Sequence, residues 1–226
     1  MKKLHRFFLS SIPDSESFEI TDTDLVHQLA TVLRYEVGET FIVFSEGNDD
    51  VVVHIESISK KSVSVTKVET IPGIKIDKKV IAAVSIIKRD LFELVVQKLT
   101  ELGVREIIPI ISDRTIKQTI RLDRLQMISK EATEQSGQHT LVKIHEPMKL
   151  EQALAQFQFP SVVFDPREPE TAMETSDTVV MYIGPEGGWS DEDIEVFKQH
   201  GAHFQKLGST ILRTETAAIV GAYSLL

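Results

Sequence analysis

The sequence predicts an α/β protein preceded by a small β-rich module, and three observations predict it. Beyond Ile71-Pro72-Gly73, apolar runs alternate with amphipathic helical patterns, the order that yields a largely parallel sheet flanked by helices. Before that point three strand-like segments follow one another too closely for crossover helices, so they should pair antiparallel as a small barrel or curled sheet. The chain has 226 residues, 42% of them hydrophobic and 26% charged, which suits an ordinary globular chain of one large or two modest domains. The boundary is expected near residue 73, dividing the chain into 1–72 and 73–226.

The elements follow in order. A short strand is expected over 6–9. Residues 21–33 read as a helix, because Thr21 with Asp24 resembles a capping box and Leu25, Val26, Leu29, Val32 and Leu33 share one face. Gly38 ends it. Strands are then expected over 40–45, 51–59 and 62–69, separated by the turn Glu46-Gly47-Asn48-Asp49 and by Lys60-Lys61. Past residue 73 the expected strands are 80–87, 107–111, 142–144, 162–164, 178–183 and 204–207. Helices are expected over 90–102, 122–136, 150–157, 191–199 and from Thr214 onward. Neither an internal repeat nor a low-complexity segment interrupts this order.

Composition excludes several chemistries. With no cysteine, the chain has no disulfide framework, thiolate metal site or cysteine nucleophile. The seven histidines lack ligand-like spacing, His200 and His203 lying across Gly201, so no metal is implied. The apolar stretch near Phe7-Phe8-Leu9 is shorter than the roughly 7–15 residues of a signal core. No run approaches the roughly 18 apolar residues of a membrane helix, and a cytoplasmic protein is expected. A net charge of −9 argues against indiscriminate binding of nucleic acid, which relies on Lys and Arg displacing counterions. A local basic patch is still available from Arg105, Arg114, Lys117, Arg121, Arg124 and Lys130, although such a stretch also suits a solvated helix face.

Two glycine turns carry the chemistry. The first, Ile183-Gly184-Pro185-Glu186-Gly187-Gly188-Trp189-Ser190, follows a very apolar strand and leads into a helix that Ser190 caps with Asp193. Its glycines let the backbone approach a ligand closely. Glu186 would repel a phosphate and suits a cationic or hydroxyl-bearing ligand, and the glycine spacing is neither that of a P-loop nor of a dinucleotide site. A plain strand-to-helix turn would also account for it. The second turn, Leu207-Gly208-Ser209-Thr210-Ile211-Leu212-Arg213-Thr214-Glu215, again feeds a helix, with Thr214 as the expected N-cap. If the two strands are parallel neighbours, both loops meet where open α/β sheets bind ligands. Arg213 at a helix start is disfavoured by the dipole, so either a bound partner or an ion pair to Glu215 or Glu186 is expected.

These two segments resemble the signature of the bacterial 16S rRNA (uracil-N3)-methyltransferases, members of the knotted SPOUT superfamily. Further matches run through the chain: His5-Arg6-Phe7-Phe8, Val32-Leu33-Arg34 with Gly38, Gln97-Lys98 with Glu101-Leu102-Gly103-Val104, Arg114-Thr115 and Glu134-Gln135-Ser136-Gly137. The resemblance implies a PUA-like β-barrel over 1–72 that helps hold rRNA and a SPOUT trefoil-knot domain over 73–226. It implies a homodimer that binds S-adenosylmethionine and methylates N3 of one uridine in the 16S rRNA of the assembled small subunit. It also implies donor contacts at Phe164 and Asp165, at Ile183, Gly184, Pro185, Glu186 and Gly187, and at Leu207, Gly208, Ile211, Leu212 and Arg213. Arg213, Glu186 and Glu215 are the expected catalytic groups, and Arg6, Arg34, Arg114, Gln135 and Gln138 the expected RNA contacts. Gln138 and Thr210 stand where the family usually has arginine, which bears on RNA affinity more than on donor binding. A superfamily relative acting on tRNA or a ribose hydroxyl, and a non-enzymatic assembly factor, are the alternative readings; a nicotinamide oxidoreductase has the wrong glycine spacing.

Overall fold

The computed structural model describes residues 4–74, 76–116, 118–173 and 176–226. They form two compact units, one from 1–75 with 133–140 and one from 76–132 with 141–226.

The first unit holds a five-stranded sheet in the order β1-β3-β4-β5-β2, with β1 at Arg6–Phe8, β2 at Ser17–Ile20, β3 at Thr40–Phe44, β4 at Asp50–Ile58 and β5 at Val63–Ile71. The β3-β4-β5 meander is antiparallel as expected, β2 adds antiparallel to β5, and β1 adds parallel to β3. The order leaves β1 and β2 as edges, so no closed barrel forms among the described residues. One face buries Phe7, Phe41, Val43, Val53, Ile55 and Val65 in a core of their own.

The helix expected over 21–33 is real but differently built. Asp22, not Thr21, is its N-cap, accepting from the N–H groups of Asp24 and Leu25 at 3.1 and 2.9 Å. After one regular stretch, α1 (Thr23–His27), it widens into a π turn over Gln28–Val32. The extra residue per turn rotates Val32 off the apolar face and leaves it 63% exposed.

The second unit is a seven-stranded parallel sheet, ordered β12-β10-β11-β6-β7-β8 with the short β9 also on β7. Its strands are β6 (Lys79–Ser85), β7 (Glu106–Ile111), β8 (Lys143–Ile144), β9 (Met148–Lys149), β10 (Ser161–Phe164), β11 (Thr178–Ile183) and β12 (His203–Gln205). Helices α2 (Arg89–Leu102), α3 (Leu122–Ser136) and α6 (Thr214–Leu225) contribute to the core on one face, and α4 (Leu150–Gln156) and α5 (Asp191–Gln199) to that on the other. The alternation along β11 shows both burials at once: Val179, Met181 and Ile183 enter the first core, Val180 and Tyr182 the second. That double burial is why these strands read as continuous apolar runs.

Candidate functional site

All three strands β10, β11 and β12 run parallel, so their carboxyl ends reach one edge of the sheet. The two glycine-turn strands are not neighbours, however, because β10 lies between them. The loops meet all the same, and with the segment after β10 and residues beyond β6 and β7 they line an open cavity of about 1120 Å³. Phe164 and Asp165, the loop from Ile183 to Gly187, and Leu207, Gly208, Ile211, Leu212 and Arg213 all line it, as does Glu215.

The first loop is held by its carbonyls. The Thr214 hydroxyl donates to the Gly184 carbonyl at 3.1 Å, and the Gly188 N–H donates to the Pro185 carbonyl at 2.8 Å. Arg114 Nη1 donates to the Gly187 and Trp189 carbonyls at 3.1 and 3.2 Å. The loop then enters α5 through the expected box, Asp193 N–H donating to Ser190 Oγ and Ser190 N–H to the Asp193 carboxylate. Gly184 is required by close approach, since a Cβ there would lie 3.2 Å from the Trp189 indole, which is itself buried against Phe197.

Thr214 is thus not the cap of α6. Arg213 occupies the N-cap position without a side-chain cap bond, and Thr214 is the first helical residue, its hydroxyl turned to the other loop. Gly208 has φ +128°, which disfavours any side chain in that turn. Arg213 and Glu186 are exposed, and neither forms an ion pair among the described residues, so of the two alternatives for Arg213 the ion pair to Glu186 or Glu215 is not made.

Asp165 lines the cavity and is also tied into the chain. It is 3% exposed, and its two carboxylate oxygens accept from the N–H, Nε and Nη2 of Arg167 at 2.8, 3.1 and 2.8 Å. Burial pushes its carboxyl up, but the hydrogen bonds and charge of Arg167 outweigh this and hold it below the usual carboxylate range. Arg167 Nη2 also donates to the Trp189 carbonyl at 2.8 Å. Sequence reasoning missed Arg167; an Asp-Pro-Arg step directly after an apolar strand was the available signal.

The expected RNA contacts fall in separate units: Arg114 in the second, Arg6, Arg34, Gln135 and Gln138 in the first. Arg34 is exposed at φ +55° and Gln135 is exposed, while Gln138 is half-buried. Arg6 is internally committed. Its Nε and Nη2 donate to the Asp50 carboxylate at 2.8 and 2.7 Å, further bonds go to the Thr133 and Gln138 carbonyls at 3.2 Å and to the Glu134 carbonyl at 3.4 Å, His139 Nε2 lies 3.4 Å from Nη2, and the guanidinium stacks 4.1 Å from the Phe44 ring centroid. Of the expected basic patch, Arg121 pairs with Asp123, Arg124 with Glu93, and Arg105 donates to the Ile76 carbonyl. Lys117 lies outside the described residues. Among the described residues no group of three or more His, Asp or Glu could hold a metal, and no helix is long and apolar enough to cross a membrane.

The profile of the RNA methyltransferase domain family matches residues 75–225. The chain belongs to that family. The ribosomal RNA small subunit methyltransferase E of Mesomycoplasma hyopneumoniae is 30% identical, covering 96% of each chain. The protein of the same name from Rickettsia conorii is 28% identical over 96% of this chain and 93% of its own. Among solved structures, a Legionella pneumophila protein described as a methyltransferase, with the cofactor SAM bound, superposes with a TM-score of 0.86 at 28% identity, covering 99% of this chain and 97% of that one. The matched family region takes in nearly all of the unit that carries the cavity, together with 133–140 of the first unit.

Proposed function

We propose that the chain transfers the methyl group of S-adenosylmethionine to N3 of a uridine in 16S rRNA, acting in the cytoplasm on the assembled small subunit. The observation that carries this reading is one cavity lined by both glycine turns, in a chain of the RNA methyltransferase domain family whose Legionella pneumophila relative holds SAM. The residues present fit that donor. Phe164, Ile183, Leu207 and Leu212 offer apolar surface to a purine ring, and Gly184, Gly187 and Gly208 let the backbone come near it. Asp165 lines the same cavity. When bound, the sulfonium supplies an electrophilic methyl carbon.

The protein's own task is to align acceptor and donor and to manage the N3 proton. Arg213, free of internal ion pairs at the cavity, stabilises negative charge developing on the base. Glu186 or Glu215 accepts the proton or orients the groups around it. Arg34, Gln135 and Gln138 in the first unit, serving as a PUA-like module, and Arg114 in the second hold the RNA; Arg6 contributes by shaping that first unit. The second unit is read as the knotted SPOUT domain, and the exposed Val220, Tyr223 and Leu226 on and after α6 supply an apolar face for a homodimer. Mass spectrometry of rRNA from cells with and without the protein should show N3-methyluridine only where it is present. Arg213→Ala should lower methyl transfer by about 10²- to 10³-fold while donor binding persists; unaltered turnover would remove Arg213 from this role.

A further inference from the structure

The geometry points to an oxyanion site at the cavity rim, formed by Arg114 and Arg167 about the Trp189 carbonyl and suited to one phosphodiester of the RNA strand. Arg114 Nη1 and Arg167 Nη2 donate to that single oxygen at 3.2 and 2.8 Å, so two guanidinium groups are drawn together by one neutral acceptor. Like charges so placed repel unless anions compensate them. Asp165 does so by pairing with Arg167; Glu168 also acts on Arg167, but its charge is matched by its own ion pair with Lys198. Asp191 stands 4.0 Å from Arg167 but is 93% exposed, where solvent screens it. Arg114 has no ion pair among the described residues, and Glu186 in the adjacent loop pairs with neither arginine.

The cluster of Arg114, Arg167 and Asp165 therefore lacks one negative charge, in a chain whose net charge is −9. A phosphodiester carries that single charge and presents the paired oxygens that guanidinium forks match. Both arginines line the same cavity as Arg213, so a phosphate held there would sit beside a nucleotide presented to it. Identifying the anion as RNA rests on the methyl-transfer reading above. The carboxylate of the donor is the other source of the same chemistry, and the test separates them.

The full-length protein, its Arg114→Gln, Arg167→Gln and double variants, and the two Arg→Lys variants would be titrated with an oligouridylate RNA between about 50 and 200 mM salt. S-adenosylmethionine would be titrated separately by calorimetry. Glutamine retains an N–H donor for the loop carbonyls, so a purely structural role leaves the salt slope unmoved. The expected result is a slope of log K against log salt reduced by about 1 in the double variant, rather than by about 2, with RNA affinity about ten-fold weaker. The lysine variants should keep the wild-type slope, and in every variant S-adenosylmethionine affinity should fall by a smaller factor than RNA affinity does. An unchanged slope, a loss confined to S-adenosylmethionine, or no wild-type binding to the RNA at about 50 mM salt would each overturn the site. Absence of N3-methyluridine in cellular rRNA alongside the expected slope change would instead defeat the methyl-transfer reading and leave this site standing.

Discussion

Two arginines from matched motifs, Arg6 in the first unit and Arg114 in the second, end in opposite circumstances. Arg6 meets a carboxylate, three carbonyls and an aromatic face, and the Arg6 and Asp50 side chains are each only 10% exposed. Arg114 is exposed, meets only carbonyls of a glycine loop and keeps its charge unpaired among the described residues. A cation that spends its donors on a buried partner serves the fold, whereas one that braces a loop and retains its charge is available to a ligand. The contrast extends to their surroundings: His139 Nε2 also sits 2.9 Å from Asp50, which keeps 133–140 with the first unit, while the cavity collects loop ends.

The strongest way to break this comparison is Arg6→Ala. It leaves Asp50 buried without its guanidinium, and a loss of about 3–5 kcal/mol in urea unfolding is expected. Native-state hydrogen exchange should show 133–140 among the first amides to lose protection, while S-adenosylmethionine affinity per folded molecule stays unchanged. A stable variant that had lost only RNA binding would return Arg6 to the RNA surface. Next in size is Gly221→Ala on α6, where an added Cβ would stand 2.9 Å from Cε2 of Phe164. Overpacking costs about 1–3 kcal/mol and helix propensity returns up to about 1 kcal/mol, so a net loss of about 1–2 kcal/mol is expected in the same assay. Because Phe164 lines the cavity, donor affinity should weaken as well, which Arg6→Ala does not do. A Gly221→Ala protein as stable as wild type would mean the ring yields freely.

What could be read in advance was what is local. The β3-β4-β5 meander and the alternation after residue 73 follow from period and spacing, and both glycine turns from residues adjacent in sequence. Strand β2 escaped notice because Ser17-Phe18-Glu19-Ile20 sits in an acidic, serine-containing stretch, and its pairing with β5 is decided by register rather than composition. The π turn at Gln28–Val32 keeps a helical pattern up to the residue where its face rotates away. Thr214 has the chemistry of a cap, but the Gly184 carbonyl, 30 positions earlier, claims its hydroxyl. The Asp-Pro-Arg step offered a signal for the Arg167 pair with Asp165, but not for its bond to the Trp189 carbonyl, 22 positions further on. The sheet's open edges likewise depend on strand order, which three close strands leave undetermined.

Thr214→Val sharpens the contrast from the cavity side. It removes one bond between the two loops, so stability should fall by only about 1 kcal/mol. Donor affinity should fall more than stability does, since the two loops that line the cavity lose their only hydroxyl clasp among the described residues, and Thr214→Ser should restore most of it. Equal, small losses in both would make Thr214 an ordinary packing residue.

The smallest expected effect concerns Asp165 and is read against pH. Its carboxyl is held below its unfolded value of about 3.9, so its ion pair contributes fully above that pH. The contribution is lost as pH falls through the folded value, because the unfolded chain takes up the proton first. Glu106, also lowered against burial by Lys79 and His145, adds acid sensitivity of its own, so the useful quantity is the difference between wild type and Asp165→Asn. That difference in urea stability should be level near neutral pH and shrink as pH is taken down below about 4. A gap that stays constant through acid would mean that Asp165 is no counter-ion for Arg167, and the charge count behind the Arg114 and Arg167 site would change with it.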